Sequence, residues 1–264
     1  MQPDSYPSLT LENPEPRILQ VTLNRPDAAN AFNTQMAGDL MHCFEALALD
    51  AGDIRCVILT GAGKAFCAGG DLKERDGMSD AAWAAQHRIY ERMIRAVLDC
   101  PLPLIAAVNG AAYGGGCELA AAADFIYASE QARFALTETS LGIIPGAGGT
   151  QTTARAVGER RAKELILSAR RFDAAEALQW GLVNAVYPAE ELLERVRETA
   201  AAIAANAPIA VRQAKQAIHR GLQMSLADGL AFEIEAYNRT VPSDDRREGV
   251  KAFNEKRSPN FQGK

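Results

Sequence analysis

The sequence has no excess of positive charge: 28 Lys and Arg stand against 33 Asp and Glu, a formal net charge of −5. A surface that tracks nucleic-acid phosphates needs a basic face or stripe, so nucleic acid is not expected as a partner. Long apolar runs are also missing. The richest, residues 102–108, is far too short to cross a bilayer, so no membrane association is expected. Among the first 24 residues the only base is Arg17, which fits neither a secretory signal nor an Arg-rich transit peptide. Five cysteines (Cys43, Cys56, Cys67, Cys100, Cys117) form an odd set with no CxxC spacing. They read as reduced, buried thiols, and a cytoplasmic location is the expectation. Only three histidines occur, His42, His87 and His219, and none has metal-ligand spacing, so no metal site is expected.

What is present is apolar material for one sizeable core: 48% of residues are hydrophobic and 23% charged. The length suits one α/β domain, with room for a helical appendage. Residues 1–16, with prolines at 3, 7, 14 and 16, read as a loose lead-in with some extended structure. Alternation predicts a strand over residues 18–23, and Thr34 reads as the N-cap of a helix to about Leu49 with Met36, Leu40, Phe44 and Leu47 as its apolar stripe. Short apolar strands are predicted at 56–60 and 104–108, and a helix at about 80–98 before Pro101. Further strands are expected at 124–128, 132–135 and 182–186, with helices at 118–123 and from about 150, then mostly helix beyond Glu190. Strands come in short pairs between helices rather than one for one. The fold class expected is therefore α/β, a coiled stack of β-β-α units followed by a helical C-terminal segment. The expected division is residues 1–190 as the spiral core with the active site, and 191–264 as a segment for oligomerisation and pocket closure.

Several glycine motifs fail. Gly61-Ala62-Gly63 follows a strand, but the third glycine of a dinucleotide fingerprint would fall at Phe66; Gly63-Lys64 lacks the Ser or Thr of a P-loop, and no G-x-S-x-G occurs. Two other segments carry more. FCAGGDL (66–72) and NGAAYGGGCEL (109–119) each place small residues just past a buried strand, where backbone N–H groups can approach a ligand. In the second, the glycines open a helix whose first N–H groups are unpaired. Glu118 follows Gly115 by about one helical turn, and Glu138 arrives from the next strand-turn. Taken singly, Glu118 reads as a first-turn partner of the helix dipole and Glu138 as a cap. Cys67 and Cys117 flank these segments without a nearby His, which suits packing rather than nucleophilic work.

These segments, together with TETSLGIIPGAGGTQ (137–151), resemble the signatures of the enoyl-CoA hydratase/isomerase (crotonase) family. The resemblance extends over nearly the whole chain, from LNRP (23–26) to DRREG (245–249), and is narrower toward the methylglutaconyl-CoA hydratase branch at FCAGGDLKER (66–75), KELILSAR (163–170) and TVPSDDR (240–246). It implies hydration of an enoyl thioester. The oxyanion hole falls by motif position on the backbone N–H groups of Ala68 and Gly115, Glu118 activates the water, and Glu138 delivers the α-proton. Coenzyme A arrives as part of the substrate, so no separate cofactor is implied.

The resemblance further implies CoA contacts at Ala31 and Lys73, and at Tyr237, Phe253 and Lys256 reaching a neighbouring subunit's CoA, with a homotrimer or a dimer of trimers as the assembly. Asp27 departs from the lysine common at its position, and Tyr113 replaces a smaller residue, which is expected to alter the acyl pocket. That pocket is expected from residues 72–98 and 141–144. Arg75 or Arg88 reads either as a partner for a distal carboxylate such as methylglutaconyl's or as a solvated helix charge, and a short straight-chain enoyl-CoA fits equally. Two other functions compete. One is a Δ3,Δ2-enoyl-CoA isomerase on the same scaffold. The other is RNA binding through a lysine-rich first helix, but residues 34–50 here contain no Lys or Arg.

Overall fold

A computed structural model describes residues 6–264, so Pro3 of the predicted lead-in lies outside the described residues. Two sheets form the frame. The first has six strands in the order β1 (Leu9–Glu12), β2 (Ile18–Leu23), β3 (Cys56–Gly61), β5 (Leu104–Val108), β7 (Phe125–Ser129) and β10 (Ala185–Tyr187). The second has four, in the order β4 (Ala65–Cys67), β6 (Ala111–Tyr113), β8 (Arg133–Ala135) and β9 (Phe172–Asp173). Pairing is parallel except at β1–β2 and β8–β9. Three successive turns, beginning at β3, β5 and β7, each lay one strand in the first sheet, one in the second, and then a helical stretch. The result is the expected coiled stack.

Side-chain parity explains why β3 from Cys56 to Leu59, and all of β5, are apolar at every position. Val57, Leu59, Leu104 and Ala106 point into the main core with α1 (Thr34–Leu49) and α3 (Asp80–Leu98). Cys56, Ile58, Ile105 and Ala107 point the other way, onto Leu192, Val196 and Ala200 of α8 (Leu192–Ala205). A strand covered on both faces must be hydrophobic on both.

The corner between the sheets is set by close backbone approach. A Cβ on Gly110 would lie 2.0 Å from the Lys64 carbonyl oxygen, so no larger residue fits where β5 turns into β6. Buried Asn30 ties the preceding loop to this corner, donating to the carbonyls of Ala62 (2.9 Å) and Ala65 (2.8 Å).

The remaining helices are α2 (Leu72–Arg75), α4 (Gly115–Ala121), α5 (Gly149–Val157), α6 (Glu159–Ser168), α7 (Ala174–Gln179), α9 (Pro208–Gly221), α10 (Leu226–Thr240) and α11 (Asp244–Glu255). The N-cap of α1 is Asn33, whose side chain accepts from Met36 N–H at 3.0 Å, so Thr34 is the first helical residue instead. The predicted strand at 182–186 shrinks to Ala185–Tyr187. No helix among the described residues is long and apolar enough to cross a membrane.

Candidate active site

The two glycine segments meet at one end of the second sheet. Past β4, the chain forms an isolated parallel bridge between Phe32 and Gly70. Its bonds are Phe32 N–H to the Gly69 carbonyl (2.8 Å) and Asp71 N–H to the Phe32 carbonyl (3.0 Å). This register uses the groups on either side of Gly70 and leaves its own N–H without a backbone partner among the described residues. Gly115, the first residue of α4, has no intrahelical acceptor for its N–H. The two loops touch: a Cβ on Gly69, whose φ is +96°, would lie 2.7 Å from the Tyr113 carbonyl oxygen and 3.2 Å from Gly115 N.

This geometry corrects the sequence reading at one position. Ala68 N–H donates to the Ala29 carbonyl at 3.0 Å, so it holds the loop in place and is not free for a ligand. Gly70 supplies the open N–H instead. The motif has small residues at all four positions from 67 to 70, so composition alone did not show which N–H the bridge leaves unused.

Both glutamates enter the same cavity, of about 590 Å³, and so do Gly70 and Gly115. Glu118, one turn into α4, is only 2% exposed. Its Oε1 accepts from the backbone N–H groups of Ala147 (2.8 Å) and Gly149 (2.7 Å), so the glycine-rich turn at 142–149 clamps one carboxylate oxygen. Burial pushes its pKa up to about 7; the nearby Glu138 adds to the rise, and the two N–H donors oppose it. Glu138 opens a short 3₁₀ turn (Glu138–Leu141) and is 7% exposed. Burial raises its pKa as well, and its Oε2 is buried without a hydrogen-bond partner. The site thus presents two carboxyl groups whose pKa values burial raises, beside two backbone N–H groups with no backbone partner among the described residues.

Cys67 and Cys117 lie behind the loops with burial pushing both thiols up, Cys67 to about 12. At neutral pH they stay protonated and serve as packing. The cavity walls come from residues 72–90 and 141–147, including Leu72, Trp83, His87, Tyr90, Leu141 and Ile144, alongside Phe32. Trp83, His87 and Tyr90 recur at helical spacing on one face of α3. Of the two arginines singled out, Arg75 lines the cavity, whereas Arg88 is exposed on α3. Tyr113 is outside the cavity lining. It borders a shallower cleft with Arg171, whose guanidinium stands 5.1 Å from the Tyr113 ring centroid, so it does not shape the acyl pocket as expected.

The CoA candidates divide into two groups. Ala31 immediately precedes Phe32 of the cavity wall, and its carbonyl accepts from the Arg25 guanidinium. Lys73 is exposed on α2 between the wall residues Leu72 and Arg75. Tyr237, Phe253 and Lys256 lie on α10 and at the end of α11, exposed and outside the cavity of their own chain.

The family model for enoyl-CoA hydratase/isomerase matches residues 14–264. The Bacillus subtilis protein YngF, named for enoyl-CoA hydratase/isomerase, is 49% identical over 92% of this chain and 94% of its own length. A short-chain-enoyl-CoA hydratase of Clostridium acetobutylicum is 42% identical, over 92% of this chain and 93% of its own. The crystal structure of an enoyl-CoA hydratase from Bacillus anthracis superposes with a TM-score of 0.95 at 45% identity, covering 97% of this chain and all of that one. The chain belongs to the enoyl-CoA hydratase/isomerase family.

Proposed function

We propose that the protein adds water reversibly across the 2,3-double bond of a short-chain or methylglutaconyl-type enoyl-CoA. The observation that carries this reading is the convergence of two buried carboxyl groups with raised pKa values and two backbone N–H groups without backbone partners on one cavity. The thioester carbonyl oxygen sits between Gly70 N–H and Gly115 N–H, which take up charge as it becomes an enolate. One such donor in a water-poor site contributes about 3 kcal/mol. Glu118, ionised, takes a proton from water as its oxygen bonds to C3. The π electrons move to the enolate, and Glu138, protonated, delivers a proton to C2 as the carbonyl re-forms. One water is consumed, and the transfer of one proton from Glu118 back to Glu138 resets the site.

Coenzyme A is part of the substrate in this reading, and the chemistry calls on no separate cofactor or metal. In this reading Ala31 and Lys73 meet the CoA moiety of their own chain's substrate. Tyr237, Phe253 and Lys256 serve a neighbouring subunit in a homotrimer or a dimer of trimers. The exposed apolar residues of α9–α11, among them Ile218, Leu222, Leu230, Ile234 and Phe253, support such an assembly. Five free, buried cysteines suit a reducing cytoplasm.

Incubation with crotonyl-CoA in ¹⁸O-labelled water tests the reaction class. Hydration yields a 3-hydroxyacyl-CoA carrying the label. Purified, folded protein that shifts the double bond of a 3-enoyl-CoA and incorporates no label would replace this reading with the isomerase.

A further inference from the structure

The cavity wall holds a guanidinium with no counter-ion among the described residues. Arg75, the last residue of α2, is 9% exposed and lines the cavity wall. Its guanidinium carbon stands 4.1 Å from the centroid of Trp83 and 4.9 Å from that of Tyr90, and Nε donates to Gln86 Oε1 at 2.8 Å. These contacts lock the planar group but leave its charge unmatched. The neighbouring Glu74 is directed elsewhere, accepting from Thr34 N–H (2.8 Å) and Gln86 Nε2 (2.7 Å). No carboxylate pairs with Arg75 among the described residues, and its Nη2 is buried without a hydrogen-bond partner. A buried cation without an anion is strongly unfavourable; with Nε spent on Gln86 and Nη2 enclosed, Nη1 is the donor left to meet a carboxylate.

Position sets the length of the ligand. A Cβ built on Gly70 would lie 3.7 Å from Nη1 and 3.8 Å from Cζ of Arg75. The guanidinium therefore adjoins the loop whose N–H faces the thioester carbonyl, and only a few carbons separate the two. His87, a further N–H-bearing side chain, lines the same wall.

We propose that Arg75 receives a carboxylate carried on the acyl group, so that the preferred substrate is a short enoyl-CoA with a distal carboxylate. The proposal rests on the hydratase reading for the word enoyl; the carboxylate preference is testable without turnover. Calorimetric titration of the whole protein with glutaryl-CoA and pentanoyl-CoA, saturated thioesters of equal chain length, reads it directly. Glutaryl-CoA should bind about a hundredfold more tightly to the wild type. Arg75→Met should collapse that ratio toward one, and Arg75→Lys should restore part of it, since charge returns without the stacked planar group.

Equal affinity for the two ligands in the wild type would overturn the proposal, even if Arg75→Met fails to fold. So would a folded Arg75→Met that weakens both ligands alike and keeps the ratio, which would make Arg75 a stacked structural residue. Turnover of crotonyl-CoA, followed separately, tests the hydratase reading, so the two can fail independently.

Discussion

At the scale of single residues, Glu118 decides how the site behaves with pH. Its native pKa of about 7 lies above the ordinary 4.5, so the folded protein holds a proton that the unfolded chain releases between about pH 4.5 and 7. Native stability attributable to this group therefore falls as pH rises through that window. Glu118→Gln should raise stability at pH 8 by on the order of 3 kcal/mol, shrinking toward zero near pH 4.5, in urea melts at the two pH values. Catalysis depends on both carboxyl groups. Glu118 must be ionised and Glu138 protonated, so kcat/KM should rise and then fall with pH, the pair titrating with macroscopic values shared between them. A flat profile from pH 5 to 8 would contradict the assigned role.

Legibility differed residue by residue. The carboxylates and Gly115 could be read from motif order. The second backbone donor could not, because which N–H a bridge leaves unpaired depends on register with Phe32, a residue 38 positions away from Gly70. Arg75 and Arg88 could be singled out from the sequence as candidates for a distal carboxylate; only burial without a carboxylate partner distinguishes Arg75 from Arg88.

At the scale of elements, the turn at 142–149 acts as a clamp on Glu118. A Cβ on Gly149 would lie 2.8 Å from Glu118 Cγ and 2.9 Å from its Oε1, so Gly149→Ala must push the carboxylate aside. Activity should fall about a hundredfold, the cost of displacing a catalytic group by roughly 1 Å, while far-UV circular dichroism stays unchanged. An unimpaired Gly149→Ala would show that the clamp does not position the base.

The long elements were legible because periodicity is strong over them: α3 starts and ends where predicted, and the double-sided apolar runs of β3 and β5 follow from cover on both faces. β4, β6 and β9 were not. Two or three residues give no alternation to read, and β4 and β6 follow glycine corners at Gly61 and Gly110, where backbone approach rather than side-chain pattern sets the path.

At the scale of the whole molecule, the spiral core completes the cavity, whereas α9–α11 present large apolar side chains to the outside, Phe253 at 84% exposed. Analytical ultracentrifugation should give three or six copies, and Phe253→Asp should shift the distribution toward smaller species. A stable wild-type monomer would remove the proposed role of Tyr237, Phe253 and Lys256 in a neighbour's CoA site.

The central claim is that two carboxylates and two backbone donors hydrate an enoyl thioester. The most direct test follows the loss of conjugated enoyl absorbance with crotonyl-CoA and 3-methylglutaconyl-CoA, for the wild type, Glu118→Gln and Glu138→Gln. Turnover of at least one substrate by the wild type, reduced 10²- to 10⁴-fold or more in each variant, is the predicted result. Turnover that survives either substitution, or folded wild-type protein that hydrates neither thioester, would contradict the account.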